Sequence, residues 1–245
     1  MTADHGAGGP TDGALYTKEW YDLCSDGSLA AARLYAAHLA HFFRPKSVLD
    51  VGCGRGYWLK AWQELGSETL VGWEGSWIDA SQMIDPGIQL KVVDLNQRLE
   101  VDRKFDLAMS LEVAEHLAVE SAELFVSGLA SSSDLVLFSA AYPNQGGRNH
   151  FNEQPPSYWA ALFKQHGFFP FDIFRPVFWG DKRASFWYRQ NAFLYARASS
   201  TAYEHLLAKG AAPLANTAFM NCVHPDLFAL KIDDIRQLNE KLIKA

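Results

Sequence analysis

The fold is decided by the stretch VLDVGCGRG, which occupies residues 48–56. Its first four residues have the composition of a short buried strand, and the rest places glycine at every second position. Because glycine reaches backbone conformations closed to other residues, such a loop turns tightly and lets the backbone approach a ligand closely. The helix predicted from Tyr57 onward would point its N-terminus at that ligand. The stretch predicts a nucleotide-binding turn, although a glycine-rich loop on its own can be only a tight turn.

Outward from this stretch, short apolar segments alternate with helical periodicity. We expect strands at residues 47–51, 69–73, 89–93, 105–110, 134–139, 168–175 and 191–197, and helices at residues 28–43 (capped by Ser28), 57–65, 77–83, about 113–129 and 157–166. Such alternation is typical of a parallel sheet with helices on both faces. The predicted fold class is therefore α/β, a doubly wound, mostly parallel, seven-stranded Rossmann-like sheet. An aromatic loop would join its last two strands into a closing β-hairpin, and a helical C-terminal tail would follow.

Composition and charge limit the domain organisation and the binding partners that are compatible with the sequence. The 245 residues, 49% hydrophobic and 20% charged, suit one large domain with a small appendage. We expect a flexible leader at residues 1–15, the main domain at 16–198 and a helical extension at 199–245, which either covers the core or mediates a homodimer. Proteins that bind long nucleic acids usually carry a broad basic surface, whereas this chain has a net charge of −6. A small-molecule or glycan acceptor is therefore favoured.

Cysteine usage and hydropathy bear on the compartment. Three widely spaced cysteines form no disulfide framework and no zinc pattern. No apolar run approaches the roughly 18 residues that would span a bilayer. The expectation is a cytoplasmic protein with no membrane partner.

Acidic residues follow the first three predicted strands. Asp50 directly precedes the glycine loop, where a carboxylate would repel a pyrophosphate but tolerate an ammonium or sulfonium group. Together with the G-x-G-x-G spacing, this disfavours NAD. Glu74 ends the second strand and could accept hydrogen bonds from both ribose hydroxyls. Asp94 ends the third and could accept from an adenine amino group, with Leu95 against the ring, although each acid could also be an ordinary loop or turn residue.

These features resemble the class I S-adenosylmethionine-dependent methyltransferase family over roughly residues 47–197. The resemblance rests on the glycine loop, Glu74, Asp94 and the segment FDLAMSLE at residues 105–112. It implies S-adenosylmethionine as the cofactor and implies contacts to it from Asp50, Gly52, Cys53, Gly54, Gly56, Glu74, Gly75, Asp94, Leu95 and Leu111. Tyr16 and Tyr21, which precede the first predicted helix, would close over the methionine end.

A metal site is predicted beside the methyl donor. On a helix, Glu112, Glu115 and His116 would share one face, and His150 could join them from the loop after the fifth strand. Two carboxylates and two imidazoles suit a divalent cation. The pattern resembles Glu-x-x-Glu-His plus a distal His in small-RNA 3′-end 2′-O-methyltransferases and ubiquinone-biosynthesis O-methyltransferases.

That resemblance implies a Mg, Mn, Fe, Co or Zn ion that lowers the pKa of an acceptor hydroxyl, with Glu115, His116 and His150 as catalytic residues. In the metal-free alternative, Glu112 contacts the cofactor, His116 only packs, and His150 is the general base.

The expected function is O-methylation of a hydroxyl on a sugar, glycan or natural product. RNA 2′-O-methylation is an alternative that the acidic charge disfavours. A catalytically silent cofactor-binding scaffold and an NAD-dependent dehydrogenase are further alternatives from other classes.

Overall fold

The computed structural model describes residues 18–244, with side chains from residue 27 onward. Seven strands form one sheet in the order β3-β2-β1-β4-β5-β7-β6. They are β1 (Ser47–Val51), β2 (Thr69–Glu74), β3 (Gln89–Val92), β4 (Leu107–Leu111), β5 (Leu135–Ser139), β6 (Phe168–Phe171) and β7 (Phe193–Arg197). Strands β1 to β5 are parallel, and β7 runs antiparallel to both β5 and β6. The predicted α/β fold class is confirmed.

Helices pack on both faces of this sheet. They are α1 (Lys18–Leu39), α2 (Tyr57–Glu64), α3 (Ala122–Ser132), α4 (Pro156–Gln165), α5 (Arg175–Phe178), α6 (Phe186–Asn191), α7 (Thr201–Ala208) and α8 (Pro225–Lys244). On one face α1 and α2 bury Tyr35 and Trp62, and on the other α3 and α4 bury Phe125 and Trp159. The strand order reverses between β1 and β4, where ligands bind in open α/β sheets, at the carboxyl ends of the strands.

Several elements differ from the sequence prediction. The helix expected at residues 77–83 is only a 3₁₀ turn, Ala80–Gln82, and the helix expected at about 113–129 begins only at Ala122. Helix α1 begins at Lys18, so Ser28 lies inside the helix and is not its N-cap. Strand β6 ends at Phe171 instead of extending to Arg175. The Arg175 side chain turns inward, where its Nε donates to Asp172 at 2.8 Å and its guanidinium reaches two carbonyl oxygens of residues 219–220. These long-range bonds draw the chain away from the sheet, so α5 and α6 replace the expected aromatic loop between β6 and β7.

The C-terminal tail is helical, as predicted, and its last helix is anchored at one end. Arg189 of α6 donates to Asp226 at 2.6 Å and to the carbonyl of Trp179 at 2.8 Å. The backbone N–H of His224 donates to Gln190 at 2.6 Å. These buried polar contacts fix the start of α8 against the body of the domain. None of the helices in the described part of the chain combines the length and apolarity needed to cross a bilayer.

Candidate functional site

The glycine loop has the backbone that its sequence predicts. Gly52, Gly54 and Gly56 all have positive φ angles, of 81°, 52° and 83°. A Cβ added at Gly52 would also overlap both γ-methyl groups of Val113. The backbone N–H of Gly52 donates to the carbonyl of Trp73 at 2.7 Å, which ties the loop to the end of β2. The loop is therefore held close to the sheet edge by contacts that a larger residue would break.

Glu74 is the acidic residue at the end of β2, and both of its carboxylate oxygens bind backbone. Oε2 accepts from the N–H of Gly54 at 2.7 Å, and Oε1 accepts from the N–H of Gly75 at 2.8 Å. Burial raises the pKa of Glu74, and these two hydrogen bonds oppose that rise. Because each carboxylate oxygen has a second lone pair, Glu74 can brace the loop and still accept from a ligand hydroxyl.

Asp50 lies buried at the end of β1, only 2% exposed. Burial raises the pKa of Asp50 to about 8, and the negative charge of Glu74 adds to the rise. A cationic group placed here would favour the ionised carboxylate and reverse that shift. This part of the site therefore favours a positively charged ligand.

One cavity of about 920 Å³ joins this loop to the opposite wall of the site. Of the residues predicted to bind the cofactor, those that line it are Asp50, Gly52, Cys53, Gly54, Glu74, Gly75, Asp94, Leu95 and Leu111. Gly56 is not a lining residue; it is the N-cap of α2, and a Cβ there would meet Ile88 and Met83. Tyr16 lies outside the described residues, as does the predicted leader, and the Tyr21 side chain lies outside the described side chains.

Asp94 and Trp77 are two further residues that line the cavity. Asp94 is exposed and accepts from the backbone N–H of Asn96 at 2.9 Å through Oδ1, so it serves a turn at the same time as it lines the cavity. The Trp77 ring lies over Gly75 so closely that a Cβ at Gly75 would overlap it. An aromatic ring and a carboxylate therefore both line the cavity.

The opposite wall starts with a sharp backbone turn where a helix was predicted. Glu112 has a φ of 56°, in the left-handed region, and two 3₁₀ turns, Ala114–His116 and Val119–Ser121, separate it from α3. The prediction that Glu112, Glu115 and His116 share one helical face is therefore wrong. The Glu112 carboxylate instead accepts from Gln145 at 3.1 Å and from Asn191 at 3.3 Å.

Three of the four predicted metal ligands nevertheless come together. Glu115, His116 and His150 each offer a ligand atom, and these atoms lie within 4.8 Å of one another. In the described part of the chain this cluster does not include Glu112. Glu115 is 1% exposed, and its Oε2 has no hydrogen-bond partner among the described residues. Burial and the nearby Glu112 raise the pKa of Glu115 well above its usual range.

The hydrogen bonds of the two histidines determine which nitrogen of each ring carries a proton. His116 Nδ1 lies 3.2 Å from the carbonyl oxygen of Asn149, and His150 Nδ1 lies 2.8 Å from Oε1 of Glu153. Carbonyl and carboxylate oxygens accept, so in both rings Nδ1 donates and the neutral imidazole keeps its lone pair on Nε2. Burial and the neighbouring His150 lower the pKa of His116 to about 4, which keeps that ring neutral.

Glu153 organises the loop that carries His150. Its carboxylate also accepts from the backbone N–H groups of Asn144 at 2.6 Å and Gly146 at 3.0 Å. The carbonyl of Glu115 accepts from the N–H groups of Phe151 and Asn152 at 2.8 and 2.9 Å. Glu153 thus closes the loop on itself, and residues 151–152 fix the loop to Glu115 of the cluster.

Residues 25–170 match the family described as a methyltransferase domain. The chain belongs to this family. The match covers the glycine loop, Glu74, the cluster and Glu153, and it extends into β6.

Solved structures of methyltransferases share the fold. Magnesium protoporphyrin IX methyltransferase from Synechocystis PCC 6803, with bound S-adenosylhomocysteine, is 17% identical over 76% of this chain and 96% of its own, with a TM-score of 0.56. The amino-pentose methyltransferase CalS10 from Micromonospora echinaspora, with S-adenosylmethionine, is 13% identical over 75% and 97%, at 0.55. Human N-acetylserotonin methyltransferase, also with S-adenosylmethionine, is 14% identical over 76% of this chain but only 56% of its own, at 0.54. Among proteins of curated function, no sequence matches.

Sequence reasoning missed three residues of this methyltransferase site. Glu153 has a local signal, because it follows His150 by three residues in a polar loop. Gln145 and Asn191 have no local sequence signal, because they are neutral amides from segments far apart in the chain that come together only in the folded structure. Asn191 Nδ2 also donates to Gln145 Oε1 at 2.9 Å, so the two amides and the carboxylate form one network.

Proposed function

We propose that the chain is an S-adenosylmethionine-dependent methyltransferase that methylates a hydroxyl group of a small molecule, such as a sugar, a glycan or a natural product. The observation that carries the proposal is the cluster of Glu115, His116 and His150, whose two histidines line the same cavity as the glycine loop. A methyl donor held at the loop and a hydroxyl held at the cluster would meet inside one cavity.

The loop half of the cavity suits the cofactor. The whole cavity has a volume of about 920 Å³, which lies within the usual range for small-molecule sites, roughly 300–1,000 Å³. Glu74 can receive the ribose hydroxyls, and Asp50 favours the cationic methionine end. S-adenosylmethionine supplies an activated methyl group on its sulfonium sulfur. The three solved methyltransferases described above, each crystallised with this cofactor or its product, support the assignment.

The cluster suits a divalent cation. Glu115 would provide a carboxylate oxygen, and His116 and His150 would each provide Nε2, while Glu153 holds His150 in the required tautomer. Mixed nitrogen and oxygen donors favour Mn, Fe, Co or Zn over Mg, which prefers oxygen ligands. A bound cation would polarise the acceptor hydroxyl. Without one, His150 Nε2, oriented by Glu153, is placed to take the hydroxyl proton as a general base.

Charge and fold both bear on the class of the acceptor. The net charge of −6 disfavours a long RNA, whose phosphates require a basic surface. The amino-pentose methyltransferase CalS10 has the same fold, which favours a sugar-like acceptor.

Methyl transfer from tritium-labelled S-adenosylmethionine to a panel of sugars, nucleotide sugars and phenolic natural products tests the proposal. We expect transfer to at least one hydroxyl compound, loss of activity with EDTA, and recovery when Mn²⁺, Co²⁺ or Zn²⁺ is added. Glu115→Gln should lose activity and its recovery by added metal, whereas Glu123→Gln, an exposed change on α3, should behave like the wild type.

Two results would contradict parts of this proposal. Full activity in EDTA would exclude the metal and leave His150 as the general base. Binding of S-adenosylhomocysteine without transfer to any acceptor in the panel would favour the silent cofactor-binding scaffold.

A further inference from the structure

The last helix carries an exposed apolar seam. Helix α8 has 20 residues and is therefore about 30 Å long. Phe228, Ile235 and Leu242 recur every seven residues, and Leu238 lies three residues after Ile235. Their exposed fractions are 61%, 53%, 75% and 58%. This is the spacing of a coiled-coil seam, and monomeric proteins rarely leave such a continuous apolar surface in water.

The charges of α8 are divided between its two halves. Residues 225–234 contain Asp226, Asp233 and Asp234 with Lys231, a net charge of −2. Residues 235–244 contain Arg236, Lys241 and Lys244 with Glu240, a net charge of +2. Two such helices attract when they lie antiparallel, because each acidic half then faces a basic half. Parallel pairing would place like charges together.

We propose that α8 pairs with α8 of a second copy of this chain in an antiparallel two-helix interface. In the register set by the seam, Ile235 packs against Leu238 of the second copy. The same register places Asp234 beside Lys241 of the second copy, and the two-fold axis repeats both contacts.

The remaining features of α8 are compatible with this register. Lys231 lies opposite Leu242 of the second copy, where its alkyl stem can cover apolar surface. Its ammonium group pairs with Asp234 of the same helix at 3.3 Å. Leu230 and Ile243 are also exposed but lie off the seam. Because only about 30 Å of helix is paired, the interface is at the small end of stable interfaces, and we expect a micromolar dissociation constant.

Sedimentation equilibrium of the full chain between about 1 and 200 μM tests the proposal. We expect a monomer–dimer equilibrium for the wild type and a monomer for Leu238→Asp. Asp234→Lys should weaken the dimer by about tenfold or more, because it places two pairs of lysines face to face. The double variant Asp234→Lys/Lys241→Asp should restore the dimer.

Asp233→Lys is the matched control, since it changes the charge equally but lies off the seam, paired with Arg236. It should leave the dissociation constant within about twofold, because exposed charges away from an interface contribute little. Circular dichroism should show unchanged helicity in all variants.

Three outcomes would overturn the proposal. They are a wild-type monomer at every concentration, a dimer that survives Leu238→Asp, and a double variant that stays as weak as Asp234→Lys.

Discussion

Substitution of Gly52 by alanine probes the glycine loop most sharply. Gly52 has a φ of 81°, and an added Cβ would overlap the γ-methyl groups of Val113. The left-handed backbone costs a non-glycine residue about 1–2 kcal/mol. Overlap in a packed region adds about 1–3 kcal/mol. We therefore expect Gly52→Ala to lower the free energy of unfolding by about 2–5 kcal/mol, the sum of these two effects.

Gly66 provides the matched control. It has a φ of 95°, but a Cβ there would meet nothing within 4 Å. Gly66→Ala should therefore cost only the backbone strain, about 1–2 kcal/mol. The excess in Gly52→Ala is the overlap with Val113, and a double-mutant cycle with Val113→Ala should recover about 1–3 kcal/mol of it.

Urea denaturation measures the unfolding free energies, and calorimetry with S-adenosylhomocysteine measures the effect on the site. Gly52→Ala should weaken binding, while Gly66→Ala should not. The reasoning would be refuted if both variants lost the same unfolding free energy and the cycle with Val113→Ala were additive, because the close approach of the loop to Val113 would then have no energetic consequence.

Four further outcomes follow from the pKa of Asp50 and from two ion pairs. The pKa of Asp50 is raised from 3.8 to about 8, so between these pH values the folded chain keeps a proton that the unfolded chain has lost. The free energy of unfolding of the protein should therefore fall as the pH rises from about 4 to about 8. Binding of cationic S-adenosylmethionine at pH 7 should release about one proton, measured by calorimetry in buffers of different ionisation enthalpy, and Asp50→Asn should abolish this release. Glu153→Gln should lower methyl transfer about ten- to hundredfold at unchanged circular dichroism, because it removes the carboxylate that orients His150; wild-type turnover would contradict that role. Asp226→Ala should cost about 1–3 kcal/mol in urea denaturation, because it removes a charged hydrogen-bond partner of the buried Arg189 guanidinium; the Asp226 carboxylate is itself 46% exposed. An equal effect from Asp233→Ala, whose ion pair with Arg236 is exposed, would contradict this reading.

The sheet could be predicted because its signals are local. The stretch 48–56 contains both the buried strand and the glycines that its turn requires, and each parallel strand is a short apolar segment between turn residues. The end of β6 could not be predicted in the same way, because it depends on the contacts of Arg175. That side chain binds carbonyl oxygens of residues 219–220, far away along the chain. No local pattern contains such information.

The candidate site shows the same division. Glu74 and Asp94 lie at strand ends, where the topology must bring them to one edge. The segment EVAEH, residues 112–116, fits a helix locally, but the left-handed backbone of Glu112 ends that pattern. Glu115 and His116 still meet His150, because they are adjacent in sequence and because Glu115 holds the His150 loop through its carbonyl group.

Isothermal titration calorimetry of the purified chain with S-adenosylhomocysteine tests the central claim most directly. The account predicts saturable binding at one site per chain and loss of that binding in Glu74→Ala, which removes both the loop brace and the ribose acceptor. Absence of heat with the wild-type chain, or binding of NAD in its place, would contradict a methyl-donor site at the glycine loop.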